Sequence, residues 1–111
     1  MGLLDEIMKN VRLEIRANSK EREYLEAVIE KSELESLQSI LTKHLGLAAK
    51  EPGKKGKIPK KIQGIVDMLG GLRIQQSFFY REEGTRVTYT ALWPWESNPE
   101  RITIKSGIIE L

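Results

Sequence analysis

The hydrophobic period of this chain changes near residue 72, and that change constrains its fold more than any other feature. Before it, apolar residues recur at three- and four-residue spacing; after it, they alternate. The first spacing stacks side chains on one face of a helix, and the second puts them on one face of a strand. Leu72, Ile74, Gln76, Phe78 and Tyr80 alternate with Arg73, Gln75, Ser77, Phe79 and Arg81. After Glu82-Glu83-Gly84 the same pattern returns in Val87, Tyr89, Ala91 and Trp93, which predicts a β-hairpin turning at the acidic pair and its glycine. Pro94 closes the second arm and Ser97-Asn98-Pro99 reads as a turn. Arg101–Lys105 and Ile108–Leu111 read as one or two further short strands. Helices first and strands afterwards give the α+β class, with three to four N-terminal and central helices followed by an antiparallel hairpin or meander.

The helical half divides at its caps and breakers. Leu4, Ile7, Met8, Val11 and Ile15 form an amphipathic stripe. Val11, Leu13, Ile15 and Ala17 also alternate with polar residues, so residues 11–17 fit helix and strand equally. Asn18 with Glu21 matches a capping box and predicts a second helix carrying Tyr24, Leu25, Val28 and Ile29. Ser32 with Glu35 repeats the pattern ahead of Leu34, Leu37, Ile40, Leu41 and Leu45, a stripe ending at Gly46. Pro59 is placed to open a short helix that buries Ile62, Ile65, Val66 and Leu69 and stops at Gly70-Gly71. At 111 residues the chain fits one domain. Its parts are N-terminal helices over 1–31, a helix-loop-helix over 32–71 with a basic loop at 50–61, and antiparallel strands over 72–111.

Several chemistries find no support. With no cysteine there are no disulfides, thiolate metal sites or thiol nucleophiles, which suits a reducing, cytoplasmic setting. Charges interrupt every apolar run short of the ~20 residues that cross a bilayer, so no membrane role is expected. His44, the one histidine, sits near a helix end and lacks the spaced partners of a metal site. Adjacent carboxylates such as Glu82 and Glu83 beside a turn glycine are ordinarily solvated. Gly53-Lys54-Lys55-Gly56-Lys57 lacks the spacing and the Lys-Ser/Thr pair of a nucleotide-binding loop. The expectation is a non-enzymatic binding protein with no cofactor.

Net charge is only +2, but its distribution is uneven. Residues 50–63 carry six lysines against one glutamate, whereas the segments before and after are slightly acidic. Ammonium groups at this density attract phosphates through counterion release, and the helix opening at Pro59 adds a dipole of the same sense. Leu41–Leu47 and Ile62–Leu72 resemble the paired helices of winged helix-turn-helix DNA-binding regulators. Tyr80–Leu92, with its turn glycine and flanking arginines, resembles the wing of that family. The resemblance spans residues 33–92 and implies transcription regulation. It places Lys60, Lys61, Gln63, Gly64 and Asp67 near the groove, with Arg81 and Arg86 on the wing. Gly53-x-x-Gly56 also resembles the backbone-clamping loop of KH RNA-binding domains, so DNA and RNA both stay open. The expected nucleic-acid contacts are Lys54, Lys55, Lys57, Lys60, Lys61, Gln63, Arg81 and Arg86.

A second reading is a protein-binding or self-associating module. In it Leu4, Ile7, Met8 and Val11 pair the N-terminal helices into a homodimer. By parity Phe79 faces away from the other hairpin aromatics, and Trp95 lies beyond Pro94, so both are candidate contacts for a partner.

Overall fold

The computed structural model describes residues 2–16, 24–51, 53–54, 56, 58–73 and 75–110. Three helices and five strands appear among them: α1 (Leu3–Asn10), β1 (Glu14–Ile15), β2 (Tyr24–Glu30), α2 (Leu34–Leu45), α3 (Lys60–Met68), β3 (Ser77–Glu83), β4 (Arg86–Pro94) and β5 (Arg101–Glu110). A 3₁₀ turn at Lys31–Glu33 leads into α2. The strands form one antiparallel sheet in the order β1-β2-β5-β4-β3. The α+β class is therefore as expected, and the sheet is larger than the expected hairpin.

The pleat separates two cores. Phe78 and Phe79 are neighbours in β3, so they point to opposite faces, and both are buried. On one face Leu25, Ala27, Ile29, Phe79, Leu92, Ile102 and Ile104 pack against α1 (Leu3, Leu4, Ile7) and α2 (Leu37, Ile40, Leu41, Leu45). On the other, Phe78, Val87, Tyr89 and Ala91 pack against Ile62, Ile65 and Val66 of α3. The two helices that the helix-turn-helix resemblance would pair thus lie on opposite faces of the sheet, and the wing-like hairpin is its β3–β4 arm.

Two expected elements differ. Tyr24–Ile29, expected as helix, is strand β2. Leu25, Val28 and Ile29 satisfy helical spacing, while Leu25, Ala27 and Ile29 satisfy alternation. What decides is pairing with β5, from Tyr24↔Gly107 to Glu30↔Arg101, a partner about eighty residues away that local periodicity cannot register. The capping box at Asn18 and Glu21 lies outside the described residues. The hairpin starts later than the alternation suggests. Leu72 and Arg73 lie outside β3, and Arg73 is bonded to Gln76 instead: the Gln76 N–H donates to the Arg73 carbonyl (3.0 Å) and the Gln76 side chain accepts from the Arg73 N–H (2.6 Å). Glu82 and Glu83 belong to β3, and the turn is Gly84-Thr85, set by the Glu83↔Arg86 pair with Gly84 at φ +62°.

The capping box expected of Ser32 and Glu35 does not form, because Ser32 lies in the 3₁₀ turn and Glu33 is the N-cap of α2, with no side-chain cap; at the following breaks local signals and structure coincide. Residues 11–17, which fit helix and strand equally, lie beyond the end of α1 at Asn10 and include the two residues of β1, with Ala17 outside the described residues. Gly46 ends α2 at φ +84°, its N–H bonded to the Thr42 carbonyl at 3.0 Å. Gly70 and Gly71, at φ +104° and +84°, close α3 by donating to the Asp67 and Val66 carbonyls. The expected last one or two strands are a single β5, central in the sheet.

Under α1 and α2 the β4–β5 pair carries two fully buried hydroxyls. Thr90 Oγ1 and Ser106 Oγ lie 2.7 Å apart, and Ser106 Oγ also donates to the Tyr89 carbonyl at 3.0 Å. Ser106→Ala strands the Thr90 hydroxyl away from water and should cost about 1–3 kcal/mol in urea unfolding. Thr90→Val combined with Ser106→Ala should be less destabilising than the sum of the two single changes.

Candidate nucleic-acid interface

The basic loop leaves and returns at the outer edge of β3. Lys50 forms an antiparallel bridge with Phe78: the Phe78 N–H donates to the Lys50 carbonyl (3.1 Å), and the Ala49 and Lys50 N–H groups point at the Phe78 carbonyl (2.8 and 3.2 Å). The Lys50 side chain is buried, with Nζ donating to the Gln76 carbonyl at 2.6 Å and the Glu51 carbonyl at 3.3 Å. Burial pushes its amine below the ordinary lysine value. One of the six lysines therefore faces inward.

The described members of the rest face solvent. Lys54 pairs with Glu51 at 3.0 Å, and Lys61 pairs with Glu82 of β3 at 2.7 Å. Lys60 is exposed at the first position of α3. Lys55 and Lys57 lie outside the described residues. Pro59 is the N-cap of α3, no side chain caps it, and no acidic residue sits in the first turn. The first intrahelical bonds run from the Ile62 and Gln63 N–H groups to the Pro59 carbonyl, both at 2.9 Å, so the Lys60 and Lys61 amides precede the ladder. Gln63, Gly64 and Asp67 lie on the exposed face of α3, with Gln63 Nε2 donating to Asp67 Oδ1 at 2.9 Å.

The arginines expected beside these lysines are elsewhere. Arg81 pairs across the sheet with Thr88, and Arg86 with Glu83, on the face that carries α1 and α2. Arg81 binds Glu83 (3.2 Å) and the His44 carbonyl (3.3 Å), and Arg86 binds Glu110 (3.1 Å). The sheet thus separates Lys60, Lys61 and Gln63 of α3 from Arg81 and Arg86.

The expected partner stripe is largely internal. Leu4, Ile7 and Val11 are buried against α2 and the sheet, and Met8 alone of the four is exposed. Phe79 is buried under the same helices, because the opposite face of β3 is covered as well. Trp95 is half-buried, with Nε1 donating to Thr103 Oγ1 at 2.8 Å and the Arg101 guanidinium 4.9 Å from its ring. Beside it Lys105 Nζ sits 4.1 Å from the Trp93 ring. These pairs lie on the α3 side of the sheet, over β4 and β5. Sequence reasoning missed them, since the register that joins Trp93 to Thr103 and Ala91 to Lys105 exists only once β5 pairs with β4.

His44 has a structural partner. Its Nε2 lies 3.2 Å from Glu6 Oε1, which also accepts from Lys43 Nζ at 3.1 Å, and these contacts tie α1 to α2. They hold the Glu6 carboxyl below its usual value, the His44 hydrogen bond contributing most. Nearby, a cavity of about 590 Å³ opens between the start of α1 and the end of α2, floored by Arg81, Thr88 and Ile108. Among the described residues no group of three or more histidines or carboxylates is placed to hold a metal, and no helix is long and apolar enough to cross a membrane.

No protein-family model, curated protein or solved structure matches this chain. The functional reading therefore rests on its own residues.

Two outcomes follow from these placements. Ile7→Ala should cost about 2–5 kcal/mol in urea unfolding, as loss of a fully buried side chain does, whereas Met8→Ala should change stability little. Because the folded pKa of Glu6 is depressed, its contribution is present above the unfolded carboxylate pKa and fades as pH falls through the folded one. Glu6→Gln should lower Tm at pH 7, and the difference from wild type should shrink below about pH 4.

Proposed function

We propose that this chain is a non-catalytic nucleic-acid-binding protein that grips phosphates with the loop at residues 50–61 and the opening turn of α3. The observation that carries the reading is a convergence. Lys60 and Lys61 stand exposed on an N-terminal turn with no acidic residue and no side-chain cap, directly after the lysine-bearing loop. Helix dipole, unbonded amides and ammonium groups all favour an anion at that place. Phosphates spaced along a backbone satisfy several such groups together, as a single small anion does not. Gln63, on the same exposed face, is the side chain suited to hydrogen-bond a base edge or sugar.

In the free protein Glu51 and Glu82 occupy Lys54 and Lys61 as internal counterions. The Lys54–Glu51 pair is exposed and Lys61 is exposed beside a partly buried Glu82; such surface pairs contribute little, so a phosphate can displace the carboxylates. Arg81 and Arg86 are left out of the contact surface, because they lie on the opposite face. A transcriptional role and a choice between DNA and RNA are extensions of the same proposal, resting on the winged-helix and KH resemblances alone.

The test is fluorescence anisotropy with labelled duplex DNA, single-stranded DNA and structured RNA across a salt series. If Lys54, Lys55, Lys57, Lys60 and Lys61 each neutralise one phosphate, the slope of log affinity against log salt should approach about −4.5 on a duplex. Changing all five to alanine should abolish binding, and Glu51→Gln with Glu82→Gln should tighten it. Absence of binding at low salt, or undiminished binding by the five-alanine protein, would overturn the reading.

A further inference from the structure

Lys50 belongs by sequence to the lysine run, yet its surroundings differ from those of every other described lysine in it. It is 7 % exposed, and its ammonium group is directed at main-chain carbonyls on both sides, Gln76 at 2.6 Å and Glu51 at 3.3 Å. Its backbone exchanges hydrogen bonds with Phe78, a core residue of β3 that packs against Val66 and Ile65 of α3. The point where the loop departs is thus fastened to the sheet by main chain and side chain together.

The loop returns to the same point. An ideal Cβ built on Gly56 would lie 2.6 Å from the Ala49 carbonyl oxygen, 2.7 Å from Lys50 Cβ and 2.9 Å from Lys50 Cα. Only a residue without a side chain lets the backbone approach that closely. Gly56 is therefore seated against Ala49 and Lys50, and Lys54, between them in the chain, is exposed.

We propose that Lys50 is a positioning residue, which together with Gly56 fixes the base of the phosphate-binding loop, and with it the place of Lys54, without itself contacting phosphate. This rests on the nucleic-acid reading above. A buried ammonium is shielded from a phosphate at the surface, whereas one that satisfies two carbonyls at the base of a loop lowers the ordering cost that binding would otherwise pay. The inward turn of Lys50 sets it apart from Lys54, Lys60 and Lys61, which are exposed.

The experiment uses the full chain with Lys50→Met, which keeps the bulk of the side chain and removes its donors, Gly56→Ala, which removes no charge, and Lys54→Ala as a true loss of contact. Anisotropy with duplex DNA across a salt series is expected to show affinity reduced about fivefold for Lys50→Met and Gly56→Ala with the salt slope unchanged. Lys54→Ala should flatten the slope by about 0.9. In the protein without nucleic acid, amide exchange at Gly53, Lys54 and Gly56 should accelerate in the first two variants while amides of β2 and β5 keep their protection.

A slope flattened by about 0.9 in Lys50→Met, with loop exchange unaltered, would make Lys50 a phosphate contact and overturn the proposal. Protection lost throughout β2 and β5 would also overturn it, by making Lys50 a support of the whole sheet. If wild-type protein binds no nucleic acid, the functional reading falls. The exchange measurement then decides alone whether Lys50 anchors the loop.

Discussion

The structure depends on the antiparallel pairing of β5 with a neighbour on each side. Its ten residues pair with β2 from Arg101 to Gly107 and with β4 from Ile102 to Glu110, so most of its backbone groups are satisfied within the sheet. Remove that pairing and two separate pieces remain: β1–β2 without a second neighbour, and a β3–β4 hairpin that is marginal by itself. With it, the sheet has two faces wide enough to need cover. One takes α1 and α2 and the other takes α3. Ile102 and Ile104 supply the centre of the first core, while Thr103 and Lys105, one residue out of phase, meet Trp95 and Trp93 on the other side.

The two-faced sheet also arranges the charged groups. Because α3 covers one face, the loop that precedes it is carried to the β3 edge on that side, with Lys50 fastened beside Phe78 and Lys61 reaching Glu82. Arg81 and Arg86, of opposite parity to Glu82, are turned to the face of α1 and α2. Basic side chains expected to share one surface are thus divided in space. Lys60 and Lys61 are exposed on α3, and the hairpin arginines are engaged with the end of α2, Glu83 and Glu110.

Much of this was legible wherever a local signal is also the physical cause. Gly46 and Gly70-Gly71 stop their helices because the chain there takes positive φ, which glycine adopts without strain. Pro59 opens α3 because its missing N–H lies where no intrahelical acceptor exists. The exposed face of α3, with Lys60, Lys61 and Gln63, follows from the spacing of Ile62, Ile65 and Val66. Legibility failed where two local patterns coexist. Residues 24–29 satisfy helix and strand spacing together, and Phe79 reads as outward only if one face of the sheet is taken to be bare. The inward turn of Lys50 carries no local mark beyond Gly56, six residues on.

By itself the sequence determined the α+β composition, the ends of α2 and α3, the turn at Gly84 and the concentration of lysines before α3, since each depends on contacts within a few residues. Tertiary structure alone decided that residues 24–30 are strand, that α2 and α3 take opposite faces, that Leu4, Ile7 and Val11 are core, and that Arg81 and Arg86 lie on the face away from α3. These outcomes depend on the partner β2 finds in β5 and on which face each helix covers. Such contacts join residues far apart in the chain, and their free energy exceeds the small differences in local propensity that distinguish one element from another.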